Sequence, residues 1–309
     1  MKIMFPELQE AAAVRRRKTQ NLRRTMTFTA IAMMLPSAII LTVVDVWPVI
    51  SGILLSLRGG TLLSPGELIG FGNFSALLQS SEFWSSLEFT AIFTLVAVFG
   101  SYIIGLPLAL LLRGKVFGRG VFRVLLLLPW VIPPIVSVLS WNWILGDQSG
   151  LLDQVIGWFG GNPIYVLSYP TSAQIAVCVL KVWESYPFML MTLIAALEGI
   201  DSTYYEAASI DGASKFQQFR FITVPHISGV SVIAWTLMGI WSVNDFGTPW
   251  LLTQGGPLNS TETLPILAYK DAFIIQNVGQ GAAIAVLSLI LLLVLSTFLL
   301  RALNRRIAQ

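Results

Sequence analysis

Six long apolar stretches are the feature that most limits what this chain can fold into. Each is about as long as a helix needs to cross the hydrocarbon core of a bilayer, roughly 20 residues. They lie near residues 28–57, 88–112, 121–145, 172–197, 226–252 and 282–303. Inside a bilayer the backbone must satisfy its own hydrogen bonds, so such stretches form helices. The sequence therefore predicts an all-α membrane protein with about six transmembrane helices.

Charged residues are scarce, and their placement follows the apolar stretches. Only 11% of the 309 residues are charged, against about 25% in an average soluble domain. Sixteen of the 19 Lys and Arg residues lie at the two ends of the chain or in the loops after the second and fourth stretches. The positive-inside rule places these parts, and both termini, in the cytoplasm. The net charge of +3 thus reflects topology and does not indicate a nucleic-acid partner.

This topology divides the chain into three regions. We predict a basic cytoplasmic tail over residues 1–27, a transmembrane domain over 28–303 and a short cytoplasmic tail over 304–309. The first apolar stretch is longer than a signal-peptide core and shows no convincing cleavage site, so we expect an uncleaved anchor. Asp45 and Pro48 lie near its far end, where we expect the helix to stop.

The polar segment 201–225, between the fourth and fifth apolar stretches, is too long for a simple turn. Thr203 and Glu206 have the spacing of a capping box, in which the two side chains satisfy free N–H groups of the first helical turn. Gly212 then ends that helix, because glycine readily adopts the left-handed conformation found just beyond helix ends.

A second short helix is expected after Gly212. Phe216, Phe219 and Ile222 recur every three residues and would form one apolar stripe, with polar residues away from it. These apolar side chains are not needed for a membrane span, so they predict a surface that docks a partner. The other interpretation is an ordinary amphipathic linker between two membrane helices.

The order of residues in this segment resembles the cytoplasmic coupling-helix (EAA-type) loop of permease subunits in bacterial binding-protein-dependent ABC importers. The matching pattern is E-A-A-x-x-D-G-A followed by a later proline: Glu206, Ala207, Ala208, Asp211, Gly212, Ala213 and Pro225. Gly229 stands where that family often has another proline, which affects the entry to the next helix and leaves the loop intact. The resemblance implies that these loop residues, together with Phe216, couple the chain to an ATPase.

Three further motifs extend the resemblance over about residues 110–285. They are Gly118–Arg123 (GRGVFR) leading into Leu128–Pro134 (LPWVIPP), Trp183–Phe188 (WESYPF), and Thr253–Pro257 (TQGGP) followed by Thr261. The last is similar to carbohydrate-uptake permeases, in particular the MalF-like half of that family. The resemblance implies a translocation path for a mono- or oligosaccharide. The alternatives are a permease for a phosphorylated polyol such as glycerol 3-phosphate, and a secondary transporter.

The resemblance also implies partners and a location. The expected partners are a second permease subunit, which is a different chain, two ATP-binding-cassette ATPase subunits, and an extracytoplasmic solute-binding protein. The expected location is the bacterial plasma (inner) membrane. ATP and Mg would bind to the ATPase, because Gly114 and Lys115 are followed by Val116 and no phosphate-binding loop is present. We expect no cofactor in this chain.

Catalytic and metal-binding motifs are absent from the sequence. The chain has one His and one Cys, which excludes a disulfide framework, a cysteine-based metal site and a catalytic triad. We therefore expect a transporter subunit and not an enzyme. The long outer loops over 58–87, 146–171 and 253–281 either contact an extracytoplasmic partner or pack over the mouth of the bundle.

Ionisable residues inside the apolar stretches are candidates for the transport path, because charges in a bilayer usually face a cavity or the bundle interior. Lys181 and Glu184 are three residues apart on one helix face and can pair. Trp183 and Tyr186 lie beside them, and Pro187 can open the helix by removing a backbone hydrogen bond. The other interpretation is a purely structural ion pair.

The fifth apolar stretch carries a second polar and aromatic group. Trp241, Asn244 and Asp245 have spacings of three and four residues, which would place them on one helix face. A sugar needs an aromatic surface for its C–H face and amide or carboxylate groups for its hydroxyls. These residues are therefore candidate sugar contacts, although a tryptophan near a helix end also serves as an interfacial anchor.

Overall fold

The computed structural model describes residues 26, 28–61, 64–114, 117–147 and 150–307. Over these residues the chain is almost entirely helical. The helices are α1 (Phe28–Ser56), α2 (Gly72–Gln79), α3 (Ser81–Arg113), α4 (Arg119–Val131), α5 (Pro134–Leu145), α6 (Leu151–Trp158), α7 (Pro170–Glu198), α8 (Ser202–Ile210), α9 (Lys215–Val243), α10 (Gly247–Thr253), α11 (Leu264–Tyr269) and α12 (Val278–Ile307). A short antiparallel pair, β1 (Arg58–Gly60) and β2 (Pro65–Leu68), precedes α2. Apart from residue 26, the tail predicted over 1–27 lies outside the described residues.

Five helices of the described chain are long and apolar enough to cross a bilayer, namely α1, α3, α7, α9 and the Val278–Thr297 part of α12. A sixth crossing is possible only if α4 and α5 are taken together, and these two helices meet at 91°. The prediction of an all-α membrane protein with about six crossings is confirmed. The span predicted over 121–145 is formed by two helices with a sharp bend between them.

The bend between α4 and α5 follows from two consecutive prolines. Ile132 and Pro133 both have extended backbone, with ψ angles of 130° and 136°. Each of them precedes a proline, and a residue in that position is disfavoured in the helical conformation. Two such residues in a row therefore end α4, and Pro134 begins α5.

Single prolines elsewhere are accommodated without a break. Pro48 and Pro225 each come two residues after a π-helical turn, at Thr42–Val46 and Phe219–Thr223. A π-helical turn is a local widening of the helix, and here it precedes a residue that cannot donate a backbone hydrogen bond. α1 thus continues to Ser56 and does not stop near Pro48 as we expected.

The fifth crossing is displaced from its predicted position. α9 begins at Lys215, inside the segment for which we predicted a separate short helix, and ends at Val243 instead of near residue 252. Pro187 also fails to open α7, which runs unbroken from Pro170 to Glu198.

The chain divides into two units, Met1–Leu54 and Leu55–Gln309. In the first, the most apolar part of α1 has no buried residue. In the second, α3 packs along α7, and α9 packs against both of them and against α12. Glycines permit the close α3–α7 approach, since a Cβ on Gly105 would lie only 3.0 Å from the backbone nitrogen of Leu190.

Buried apolar clusters lie at both ends of α3. The cluster at its C-terminal end includes Leu112, Leu197 and Ile227 and lies next to the 201–225 segment. The cluster at its N-terminal end includes Phe83 and Ile284.

A polar contact fixes the loop before α11 to the N-terminal part of α3. The carboxylate of Glu262 is fully buried, accepts a hydrogen bond from Ser86 Oγ at 3.2 Å, and pairs with Lys270. The backbone N–H of Leu264 donates to Thr90 Oγ1 at 2.9 Å. This loop is therefore held onto the bundle by polar bonds in which Glu262, Ser86 and Thr90 are buried and Lys270 is partly exposed.

Candidate functional site

The 201–225 segment begins with a helix that is capped differently from our prediction. Asp201 is the N-cap of α8, and its carboxylate accepts a hydrogen bond from the backbone N–H of Thr203 at 2.9 Å. This bond lowers the pKa of Asp201. Thr203 lies inside the helix, so the predicted Thr203–Glu206 capping box is wrong. Glu206 is exposed, and among the described residues its carboxylate has no hydrogen-bond partner.

The break after α8 occurs where we predicted it. Gly212 has φ +82°, in the left-handed region, and nothing lies within 4 Å of where its Cβ would stand. The backbone N–H of Ala213 donates to the carbonyl of Ala208 at 2.8 Å, which closes the end of the helix. A capping box does follow, at Ser214 and Gln217, and starts α9.

Gln218 ties the two halves of the segment together, a role that the sequence did not indicate. This side chain is buried, and its Nε2 donates to Ser209 Oγ at 2.9 Å and to the carbonyl of Ala213 at 3.2 Å. The sequence around Gln218 gives no sign that its side chain is buried, because burial of the amide depends on partners supplied by the preceding helix.

The apolar side chains of the segment do not form the single stripe that we predicted. Phe219 and Ile222 are half-buried, whereas Phe216 is 71% exposed. The π-helical turn at Phe219–Thr223 changes the angular spacing between these positions. Ile210 is also largely exposed. Of the resemblance-based coupling residues, Glu206, Ala207, Asp211, Gly212 and Phe216 are exposed, and Ala208 and Ala213 are half-buried.

Four polar side chains from α7 and the start of α10 form a second candidate site, which we call the polar cluster: Lys181, Glu184, Asp245 and Thr248. Lys181 Nζ lies 2.5 Å from Asp245 Oδ2. Thr248 Oγ1 lies 2.8 Å from the same Asp245 oxygen and 3.0 Å from Glu184 Oε2. Lys181 therefore pairs with Asp245, and the predicted Lys181–Glu184 ion pair is wrong.

Thr248 is the member of the polar cluster that we did not predict. Its backbone N–H donates to Asp245 Oδ1 at 3.1 Å, and the two residues lie at the entry to α10. The sequence gives no clear signal for this contact, because Asp245 lies one residue before Phe246, the N-cap of α10. We had placed both residues inside a longer fifth crossing.

The polar cluster borders a cavity of about 290 Å³ between α4, α5, α7 and α9. The cavity is lined by Pro129, Trp130, Ile132, Pro134, Lys181, Glu184, Ser185, Phe188, Met238 and Trp241. Glu184 Oε1 is buried and has no hydrogen-bond partner among the residues that the structure describes. The Phe188 ring centroid lies 4.9 Å from that of Trp241 and 6.4 Å from that of Trp130. The cavity thus combines an aromatic wall with an unpaired carboxylate oxygen.

The remaining residues predicted for a transport path lie elsewhere. Trp183 packs against Trp141 with ring centroids 5.8 Å apart, and Tyr186 is half-buried outside the cavity lining. Asn244 follows the last residue of α9, and its Nδ2 donates to the carbonyl of Ile240 at 3.0 Å. Because the helix ends there, Trp241, Asn244 and Asp245 do not share one helix face, and that prediction is wrong.

No group of three or more His, Cys, Asp or Glu side chains in the described part of the chain is arranged to hold a metal ion. Cys178 is buried in an apolar cluster that includes Phe93. What these sites offer a ligand is hydrogen-bonding groups, an ion pair and aromatic surfaces.

Known proteins resemble this chain over most of its length. Residues 101–309 match the protein family described as “Binding-protein-dependent transport system inner membrane component”. The chain is 36% identical over 298 residues to a probable ABC transporter permease, y4oQ, of Sinorhizobium fredii, covering 96% of this chain and 94% of that protein. It is 35% identical over 262 residues to the trehalose/maltose transport system permease MalF of Thermococcus litoralis, covering 84% and 88%.

A solved structure shares the fold. A chain from the crystal structure of a bacterial ABC transporter involved in the import of the acidic polysaccharide alginate superposes with a TM-score of 0.81. The match covers 94% of this chain and 99% of that chain at 20% sequence identity.

Proposed function

Because this chain belongs to the family of binding-protein-dependent transport system inner membrane components, we propose that it forms part of the translocation path for a sugar in an ATP-driven importer. The chain is an ABC transporter permease of the inner membrane and not an enzyme. Its 35% identity to a trehalose/maltose permease over 262 residues supports a sugar as the solute.

The observation that carries the proposal is the unpaired Glu184 Oε1 at the edge of the 290 Å³ cavity. A buried carboxylate oxygen without a donor is unfavourable, and a sugar hydroxyl supplies that donor. The face of Trp241 offers the flat surface on which the C–H face of a sugar ring packs. Asp245 holds Lys181 in place, and Lys181 in turn offers donors to ring or hydroxyl oxygens.

A phosphorylated polyol is disfavoured as the substrate by the charges of the same cavity. Its single described cation, Lys181, is already paired with Asp245, and Glu184 would repel a phosphate group. Phosphate recognition usually relies on arginine forks or several lysines, and no arginine is among the described residues that line the cavity. The polar cluster therefore favours a neutral polyhydroxylated solute.

We further propose that the 201–225 segment docks on the ATPase. Its exposed apolar side chains, Ile210 and Phe216, stand beside the exposed Glu206 and Asp211, a mixture that suits a protein interface. In this proposal both termini and the segment lie in the cytoplasm. A second, different permease completes the path, two ATPase subunits supply the energy, and an extracytoplasmic binding protein delivers the sugar.

The substrate proposal is tested by transport in liposomes that contain the complete complex and its binding protein. We expect ATP-dependent uptake of radiolabelled maltose or trehalose and no uptake of glycerol 3-phosphate. Glu184→Gln is expected to raise the sugar concentration for half-maximal uptake by about 10-fold, the scale of one hydrogen bond to a charged group. Trp241→Ala is expected to raise it by about 10-fold through loss of the aromatic surface on which the sugar packs.

Trp143→Ala is the matched control, since Trp143 is 62% exposed and is not part of the cavity lining. We expect this variant to transport like the unaltered complex. Uptake of glycerol 3-phosphate in place of both sugars, or unchanged sugar uptake by the Glu184 and Trp241 variants, would contradict the proposal.

A further inference from the structure

Tyr205 is the side chain of α8 that packs against the buried core of the bundle. Of the nine residues of α8, only Tyr205 and Ala208 are half-buried, and every other residue is exposed. The Tyr205 ring packs against the buried cluster at the C-terminal end of α3, which includes Leu112 and Leu197. Tyr205 therefore gives α8 a contact with this buried cluster, in addition to the Ser209–Gln218 hydrogen bond to α9.

Tyr205 contacts two crossings at once. The guanidinium carbon of Arg113, the last residue of α3, lies 4.4 Å from the centroid of the Tyr205 ring. The Tyr205 hydroxyl lies 2.9 Å from Thr223 Oγ1, in the π-helical turn of α9. Arg113 also donates to the carbonyl of Ile200, between α7 and α8, at 3.5 Å. The ring is therefore held on one side by α3 and at its tip by α9.

The neighbouring tyrosine makes a useful contrast. Tyr204 is 54% exposed and contacts only the ring of His226 among the aromatic side chains described, at a centroid distance of 5.2 Å. Glu206, on the other side of Tyr205, is exposed. Of these three described side chains, Tyr205 alone contacts both α3 and α9, whereas Tyr204 reaches only α9, through His226.

We propose that Arg113, Tyr205 and Thr223 form a mechanical link that carries movement of α8 into α3 and α9. This inference rests on the proposed function, in which α8 docks on the ATPase. The three are positioning residues: they do not contact the sugar and act through the helices that border the cavity. The cation over the ring and the hydroxyl pair are direct contacts of α8 with α3 and α9, so a displacement of α8 acts on both helices.

The test is the number of sugar molecules taken up per ATP hydrolysed by the complete complex in liposomes. Arg113→Ala and Tyr205→Ala are expected to lower this ratio by about 10-fold, a typical size for coupling between two sites. Basal ATP hydrolysis is expected to stay within about twofold, because the ATPase itself is unaltered. Arg113→Lys keeps a cation over the ring and is expected to restore most of the ratio.

Conservative variants keep the test decisive if the alanine variants assemble poorly. Tyr205→Phe and Thr223→Val each remove one half of the hydroxyl pair, and each is expected to lower the ratio by about two- to fivefold. The double variant is expected to be no worse than either single one, because both remove the same contact. Tyr204→Phe is the matched control and is expected to leave the ratio unchanged.

Two failures are distinguishable. If the unaltered complex takes up no sugar in response to ATP, the proposed function fails. If the unaltered complex couples ATP to uptake while Arg113→Ala and Tyr205→Phe couple equally well, the mechanical link is wrong and the proposed function stands. Equal losses in Tyr204→Phe and Tyr205→Phe would also overturn the link, since only one of the two hydroxyls has a partner in α9.

Discussion

The polar cluster shows how a residue's role depends on partners distant in sequence. Helical spacing predicted that Lys181 pairs with Glu184, three residues away. In the structure Lys181 pairs with Asp245, 64 residues further on, and leaves one oxygen of Glu184 without a donor. The sequence identified the ionisable residues, because charges in apolar stretches are conspicuous. It did not identify the pairing, which is decided by where α9 ends.

The ion pair in the polar cluster is expected to matter for stability. Lys181 and Asp245 are only 13% and 12% exposed, so Lys181→Met leaves a nearly buried carboxylate without its cation. We expect a loss of about 3–5 kcal/mol. Replacing both partners, as Lys181→Met with Asp245→Asn, is expected to recover much of that loss. The measurement is thermal unfolding of the purified complex in detergent.

Arg220→Met is the control for that experiment, because it removes a positive charge from an exposed position. It is expected to change the unfolding temperature little. A double variant as unstable as Lys181→Met alone would contradict the assignment of Asp245 as the partner.

Asp271, in the loop before α12, is expected to make the stability of the folded chain depend on pH. Burial, and then the nearby carboxylates of Glu82 and Glu262, raise the pKa of Asp271 from 3.8 to about 6. Between those values the folded chain binds more protons than the unfolded chain, so stability falls as pH rises from about 4 to 6. Lys270 does not offset this effect, because it pairs with Glu262.

Asp271→Asn removes that dependence by fixing the side chain in an uncharged form. The variant is expected to unfold at a higher temperature than the unaltered complex at pH 7, by an amount worth about 1–3 kcal/mol. At pH 5 the difference is expected to shrink. A difference of the same size at both pH values would show that Asp271 titrates normally.

At the scale of elements, the prolines show which features of the helices can be predicted from the sequence and which cannot. Apolar length was enough to locate the membrane crossings, because the bilayer sets the length of a helix. Proline has three different effects on the helices of this chain. Pro133 and Pro134 lie at a 91° bend, Pro225 follows a π-helical turn within a continuous helix, and Pro187 lies in an unbroken helix. Only the adjacent pair excludes the helical conformation at two successive residues. The others depend on packing, which the sequence does not specify.

The turn between α8 and α9 is expected to depend on the backbone of Gly212. Its φ of +82° is strained for any side chain, although a Cβ there would meet no atom within 4 Å. Gly212→Val is therefore expected to cost about 1–3 kcal/mol locally through backbone strain alone. We expect insertion of the chain into the membrane to be normal and sugar uptake per ATP to fall about 10-fold.

Gly199→Ala is the matched control for Gly212→Val. Gly199 has φ −75°, and its added Cβ would make an ordinary contact of 3.5 Å. This variant is expected to transport normally. Normal coupling by Gly212→Val would remove the left-handed turn from the coupling mechanism.

At the scale of the whole molecule, the charge distribution predicts which side each loop faces. Among the described residues, Arg113, Arg119 and Arg123 lie at the end of the bundle that carries the 201–225 segment, whereas the 146–171 loop contains no Lys or Arg. Orientation in the membrane is therefore a testable property of the whole chain. The native Cys178 is buried, so introduced cysteines report their own accessibility.

Two exposed positions test this orientation. Phe159 and Ile210 are 86% and 87% exposed, in the 146–171 loop and the 201–225 segment. Phe159→Cys is expected to react with a membrane-impermeant maleimide in intact spheroplasts. Ile210→Cys is expected to react only after the membrane is permeabilised. The reverse pattern would place the 201–225 segment outside the cell and contradict its docking on an ATPase.

The bend between α4 and α5 has a consequence for the size of solute that the cavity can hold. Pro129, Ile132 and Pro134 form part of the cavity wall, and the carboxylate that would hold a solute hydroxyl belongs to a different helix. The volume available to a solute is thus set partly by the bend between α4 and α5. The hydrogen bonding that recognises the solute is set by α7. A shift of these prolines along the chain would change the room for a solute and leave the hydrogen-bonding carboxylate of Glu184 in place.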